Sequence, residues 1–243
     1  MSRFLLDDSV QGRILKELPN LEGLFGSAFM NGPDWISMHF HPESPIPIAA
    51  VCLQDAFDTL FSARYALHEF FAHKIWYSEK KEPPDKEAAD AYRLFYADDV
   101  TLRLYSAAEH LANAIISMMK ISEDQLKKYR KGKISQQSIV GSFLAGEELN
   151  HPITKAVLKL HNSKEWCKTI GYRNRWVHEQ PPTVAGLGII YERRERWLRS
   201  KTDNFWHLPF GGGDQPEYTV DELLGFIQPA SFHGSLYSHC SML

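Results

Sequence analysis

The chain has 243 residues, 44% of them hydrophobic, and 27 Lys and Arg against 30 Asp and Glu give a formal net charge of −3. That size and apolar content bury a substantial core, as one large domain or one domain with appendages. The slight acidity excludes attraction of polyanions by the molecule as a whole and confines any nucleic-acid contact to a local patch.

Met1–Asp8 lacks the apolar stretch of a secretion signal, and no run reads as a membrane span. The expectation is a cytoplasmic protein without membrane contact. Cys52, Cys167 and Cys240 are far apart and have no metal-site spacing, so each is expected to be a reduced, packed thiol.

Residues 1–48 carry Gly, Pro and Asn at short intervals and predict an irregular arm. Within it a short helix is expected around Ser9–Leu18 and a second element near Leu21–Phe29. His39 and His41 alternate along an extended segment, but no third ligand stands at a sensible spacing, so no metal is expected. From Ala49 to about Lys80 the apolar positions Leu53, Phe57, Leu60, Leu67, Phe71 and Ile75 recur at three- and four-residue steps, with Arg64 among them and Ala56 and Ala63 alongside. This predicts a long amphipathic helix ending near Pro83-Pro84. A second, free of Gly and Pro, is predicted from Asp85 to Ile121, with a stripe of Leu104, Ala108, Leu111, Ile115 and Met118.

Glu109 and Asn113 stand one turn apart beside that stripe and need polar partners. They either satisfy each other or a neighbouring helix, or orient a functional site; His110 is a weaker candidate for the same role. Lys127, Lys128, Arg130, Lys131 and Lys133 then fall within seven positions, either a solvated face or a phosphate-contacting patch. Gln136–Glu147 and Pro152–Leu160 predict two further helices.

Ser163–Glu179 predicts the next helix, closed by Gln180 before Pro181-Pro182. It holds Tyr172-Arg173-Asn174-Arg175-Trp176-Val177-His178. Trp166, Ile170 and Val177 share one line of it, with Arg173 within that line, and Glu109 is the partner expected for Arg173. Arginine is a permanent, forked phosphate binder, and histidine titrates near neutral pH. With 12 Arg and 11 His, roughly 0.5 Arg-x4-His matches arise by chance, and an Asn beside the Arg lowers this to roughly a few per cent. At about 100° per residue, Asn174 and His178 share a face, whereas Arg173 and His178 lie roughly 140° apart.

After Pro182, Val184–Tyr191 predicts a short strand or extended arm. A second basic patch follows, with Arg193 and Arg194 foremost and Trp197 and Trp206 close by. It either stacks bases or clasps a partner subunit or the protein's own core. Gly211-Gly212-Gly213 lacks the Lys of a nucleotide-binding loop. Thr219 and Glu222 form a capping box for a last helix to about Ile227.

The run Tyr172–His178 followed by Pro181-Pro182 resembles the signature of HEPN domains, Arg-(polar)-x(3–5)-His near the end of a core helix. The tract Tyr105–Asn113 is similar to their earlier long helix, and the likeness covers residues 51–180. The resemblance implies an all-α bundle of two long antiparallel helices plus shorter ones, with an irregular arm (1–48), a HEPN-like domain (49–182) and a C-terminal extension (183–243) packed on the same domain or on a partner subunit. It implies a homodimer whose site forms at a two-fold interface, in a defence or toxin–antitoxin setting with an antitoxin or regulatory protein as partner.

The implied activity is cleavage of RNA through the ribose 2′-hydroxyl, without cofactor. Arg173, Asn174 and His178 would be catalytic and Glu109 and Asn113 supporting, with Lys127, Lys128, Arg130, Lys131, Arg193 and Arg194 contacting RNA. A HEPN module that binds RNA or protein without cleaving, and a purely structural helical dimer, are the alternatives.

Overall fold

The computed structural model describes residues 8–18, 44–79, 86–130, 132, 135–147, 152–178, 182, 184, 198–199, 206–207 and 217–235. The fold is all-α. Eight helices lie among the described residues: α1 (Asp8–Glu17), α2 (Pro45–Glu79), α3 (Lys86–Met119), α4 (Glu123–Lys127), α5 (Gln136–Gly146), α6 (Pro152–His161), α7 (Lys164–His178) and α8 (Val220–Ser235). The extended pairing described is slight. Leu198 and Arg199 pair antiparallel with His207 and Trp206, and Val184 makes one parallel bridge to Tyr218.

Helices α2 and α3, of 35 and 34 residues, form the frame. They run antiparallel: Asp55 approaches His110 at one end, and His73 stacks on Tyr92 and Tyr96 near the other, with centroids 5.0 and 5.6 Å apart. Ala49, Ala56, Ala63 and Phe70 repeat every seven residues and are all buried, as are Ala107 and Ala114 on α3. A seven-residue repeat keeps one seam facing its partner along two long helices, and alanine there lets the backbones approach closely. Of the expected stripe, Leu67 and Phe71 are buried in the core, and Ala56 and Ala63, expected alongside it, are buried too. Leu53, Phe57 and Leu60 flank the seam half-buried, because the small residues take the contact itself.

Two cores form on this frame. The first gathers Leu67, Phe70 and Phe71 of α2, Val100 and Leu104 of α3, Ile14 of α1, Trp166 and Tyr172 of α7, and Leu223, Phe226 and Ile227 of α8. The second gathers Ala112 and Ile115 with Leu126, Ile139, Phe143, Leu144 and Val157. Helices α1 and α8, from the two chain ends, thus belong to the main core.

Helix α2 begins earlier than expected, at Pro45. Proline is tolerated in a first turn, where its missing N–H has no intrahelical partner anyway, and the Ser44 hydroxyl accepts from the Ile46 N–H at 3.3 Å. The capping box is present, with Glu222 accepting from the Thr219 N–H at 2.8 Å and Thr219 from the Glu222 N–H at 3.1 Å. These bonds hold the Glu222 carboxyl below its ordinary range. The helix continues through Pro229 to Ser235 rather than ending at Ile227.

Contrary to the sequence expectation, one stretch, Pro45–Ile75, is long and apolar enough to cross a membrane, and 17% of its most apolar window is buried. Asp55 and Asp58 stand exposed within it, and each would cost roughly 2.5–3.5 kcal/mol at a bilayer centre. Cys167 is exposed rather than packed, and Cys52 is half-buried. The expected element at Leu21–Phe29, His39 and His41, most of Val184–Tyr191, Gly211–Gly213 and Cys240 lie outside the described residues.

The alanine seam makes a testable contrast. Ala63 is 2% exposed and Val51, on the same helix, is 55% exposed. Ala63→Leu is expected to cost about 1–3 kcal/mol by overpacking, and Val51→Ala no more than about 0.5 kcal/mol. Urea unfolding measures both; equal losses would contradict the seam.

Candidate functional site

The motif helix α7 opens with Ser163, whose hydroxyl accepts from the Trp166 N–H at 3.1 Å. Arg175 and His178 occupy its last turn, where cations complement the helix dipole. Its buried face is Trp166, Thr169 and Tyr172. This differs from the expected Trp166–Ile170–Val177 line, since Ile170 is half-buried and Val177 is 41% exposed.

Each buried residue reaches a different neighbour. Trp166 Nε1 donates to Gln137 Oε1 of α5 at 3.3 Å. Thr169 Oγ1 donates within α7 to the Glu165 carbonyl at 2.9 Å and lies 3.4 Å from the Phe226 carbonyl of α8. Tyr172 donates its phenol proton to Asp98 Oδ1 of α3 at 2.7 Å, and its ring meets those of Tyr218 and Phe226. On the flank, Arg175 grips Glu217 with both Nη atoms, joining the motif helix to the segment that leads into α8.

These anchors turn Arg173, Asn174 and His178 to the other side. Arg173 lies flat on Tyr105 of α3, its Cζ 3.8 Å from the ring centroid. Its Nη1 donates to Asn174 Oδ1 at 3.1 Å and lies 3.4 Å from His178 Nε2. Arginine can only donate, so a hydrogen bond across this contact requires Nε2 to accept. The Arg173 Nε is buried without a hydrogen-bond partner. All three motif residues therefore meet within one subunit. The 140° separation concerns where side chains leave the backbone, and the long arginine side chain spans it.

The expected pairing of Arg173 with Glu109 does not form. The Glu109 carboxylate accepts the Gln136 and Gln137 N–H groups at 2.9 and 3.2 Å, capping α5. The physical reason is local: Ser135 at the N-cap makes no side-chain cap bond, and unsatisfied N–H groups at a helix start attract a carboxylate. Glu109 thus supports α5, and Asn113 is exposed one turn farther along α3. His110 faces Asp55 of α2 at 3.9 Å, away from the motif.

Tyr105, one turn before Glu109, is the site residue that sequence reasoning missed. Burial pushes its phenol up, and the Glu109 charge adds to this, while the Arg173 charge opposes it. Its position on the Glu109 face was legible, but its contact with α7 required the packing.

The first basic patch is largely neutralised by its own surroundings. Lys127 pairs with Asp124 at 2.6 Å, Arg130 with Glu123 at 2.6 Å, and Lys128 with Glu147. Lys128 and Tyr129 together hold the Glu147 carboxyl below its ordinary range. Lys127, Lys128 and Arg130 lie on a solvated face, one of the two expectations for this run, with carboxylates supplied by α4 and the end of α5 beside them. Such exposed pairs are worth little and exchange readily for other anions. Lys131, Lys133, Arg193 and Arg194 lie outside the described residues. Arg173 differs from these cations, since no described carboxylate pairs with it and its charge remains available.

Comparison of the chain with known protein families, characterised proteins and solved structures finds no match. Any functional assignment therefore rests on the chemistry of the site. Glu109→Ala is expected to remove about 0.5–2 kcal/mol by uncapping α5, measured by urea unfolding, while Arg173 keeps its seat on Tyr105. Retention of full stability would contradict the capping role.

Proposed function

We propose that this chain is a metal-independent endoribonuclease of HEPN type, acting as a homodimer. The observation that carries the reading is a guanidinium with no carboxylate partner among the described residues, its Nη1 3.4 Å from the Nε2 of an imidazole. An unneutralised forked cation is a seat for a phosphate, and a neutral imidazole beside it is a base for a hydroxyl next to that phosphate. RNA supplies such a hydroxyl in its own 2′-oxygen, so the chemistry needs only proton transfer and charge stabilisation.

The reaction is written through this chain's residues. His178 Nε2 takes the 2′-hydroxyl proton as the 2′-oxygen attacks phosphorus. Arg173 presents the Nη2 edge of its fork to the phosphate oxygens as charge grows on the phosphorane, its Nη1 contact with His178 giving way to the 2′-hydroxyl. Asn174 holds the guanidinium edge through its carbonyl oxygen. The bond from phosphorus to the 5′-oxygen breaks, and that oxygen takes a proton from the imidazolium, of the same subunit or of a second copy across a two-fold axis. The products are a 2′,3′-cyclic phosphate and a 5′-hydroxyl. Val177, exposed beside His178, adds apolar surface at the site's edge and supports the dimeric reading.

The paired state of Lys127, Lys128 and Arg130 favours a second reading, a HEPN-like module that engages a protein partner such as an antitoxin without cleaving RNA. One experiment separates them. Labelled tRNA and total RNA are incubated with the protein in EDTA, and the product ends are identified. The ribonuclease reading predicts cyclic-phosphate ends, with His178→Ala and Arg173→Ala each lowering the rate by about 10²–10⁴-fold while helicity and dimer mass persist. Wild-type protein that yields no products, or variants that cleave unchanged, would overturn it.

A further inference from the structure

Arg173 is held in an unusual way, and the residues that hold it are outside the motif. Its Nη1 is engaged on one edge by Asn174 and His178, its Nε is buried with no acceptor, and one face is covered by Tyr105 at van der Waals distance. A long, rotamer-rich side chain with an unserved donor would normally swing its head into water. Here the ring's electron-rich face attracts the cation and keeps it in place. Of the fork, the Nη2 edge is left for an incoming anion.

The ring shares its face of α3 with Glu109. Glu109, one turn along α3 from Tyr105, caps α5 through the Gln136 and Gln137 N–H groups. The seat is therefore built on α3, while the motif supplies only the side chain that rests on it.

The geometry points to Tyr105 as the positioning residue of this site: its ring seats the Arg173 guanidinium beside His178, so that base and anion-binding fork are aligned before substrate arrives. The inference of a catalytic consequence rests on the ribonuclease reading above; the seat itself does not.

Nuclear magnetic resonance tests the seat without reference to activity. In the wild-type protein the Arg173 Nε–H resonance is expected to be shifted upfield by the ring current, to exchange slowly with water, and to show Overhauser contacts to the Tyr105 ring protons. Tyr105→Phe is expected to preserve all three features, and Tyr105→Leu to abolish them. An Arg173 signal in the wild type at the position of a solvated arginine, without contacts to that ring, would overturn the proposal whatever the variants do.

Cleavage assays then test the consequence. Tyr105→Leu is expected to lower kcat about ten- to a hundredfold with KM little changed, Tyr105→Phe to retain most activity, and Tyr105→Leu to add no further loss in an Arg173→Ala background. A full additional loss in that background would show a general structural role and overturn positioning through Arg173. A seat confirmed by resonance in a protein that cleaves no RNA would sink the ribonuclease reading and leave the seat standing.

Discussion

The hydrogen bond from buried Tyr172 to Asp98 sets the rotation of the motif helix, and the site follows from it. Tyr172 is fully buried, so residue 173, one step on around the helix, is directed along the surface of α3 rather than into the core. Asp98 and Tyr105 are seven residues apart on α3, about two turns along one face. Tyr172 meets the first and Arg173 the second. Two contacts at that separation fix both the rotation and the translation of α7 against α3, and Asn174 and His178 are carried outward with Arg173. Their proximity is a consequence of packing as much as of spacing.

That arrangement needs a rigid α3. The alanine seam with α2 supplies it, because close backbone approach over many turns leaves little freedom to bend. The two chain ends add to it. Helix α1 inserts Ile14, with Leu18 just after it, and α8 inserts Leu223, Phe226 and Ile227, into the core that Tyr172 occupies. The grip of Arg175 on Glu217 ties the end of the motif helix to the start of α8, so an arginine two residues from Arg173 is committed to holding the helix. Adjacent arginines in one motif thus divide between structure and a free charge.

Much of this was legible in the sequence, and what was not has physical reasons. The helices α1, α2, α3, α5, α6 and α7 follow from periodicity and from Pro and Gly punctuation, and the Thr219–Glu222 box from its spacing. The α2 stripe was legible for Leu67 and Phe71, whereas Leu53, Phe57 and Leu60 are only half-buried because small residues beside them take the buried positions. The pairing of Glu109 with Arg173 was misread because a helix start competes for carboxylates, and which helix start lies nearby is a tertiary fact. The neutralisation of Lys128 depends on Glu147, 19 residues away, beyond any local pattern. The separation of Arg173 from His178 was overestimated because backbone angles do not include side-chain reach. Tyr105 was invisible because aromatic seats for arginine have no fixed spacing from the motif they serve.

The central claim is that Arg173 and His178 work as one unit on one phosphate. A double-mutant cycle on RNA cleavage tests it most directly, comparing Arg173→Ala, His178→Ala and the double variant under identical salt. Residues that act as a unit are strongly non-additive, so the double variant is expected to cleave no more slowly than the worse single one. Multiplication of the two single losses in the double variant would contradict the account, showing two groups that contribute separately.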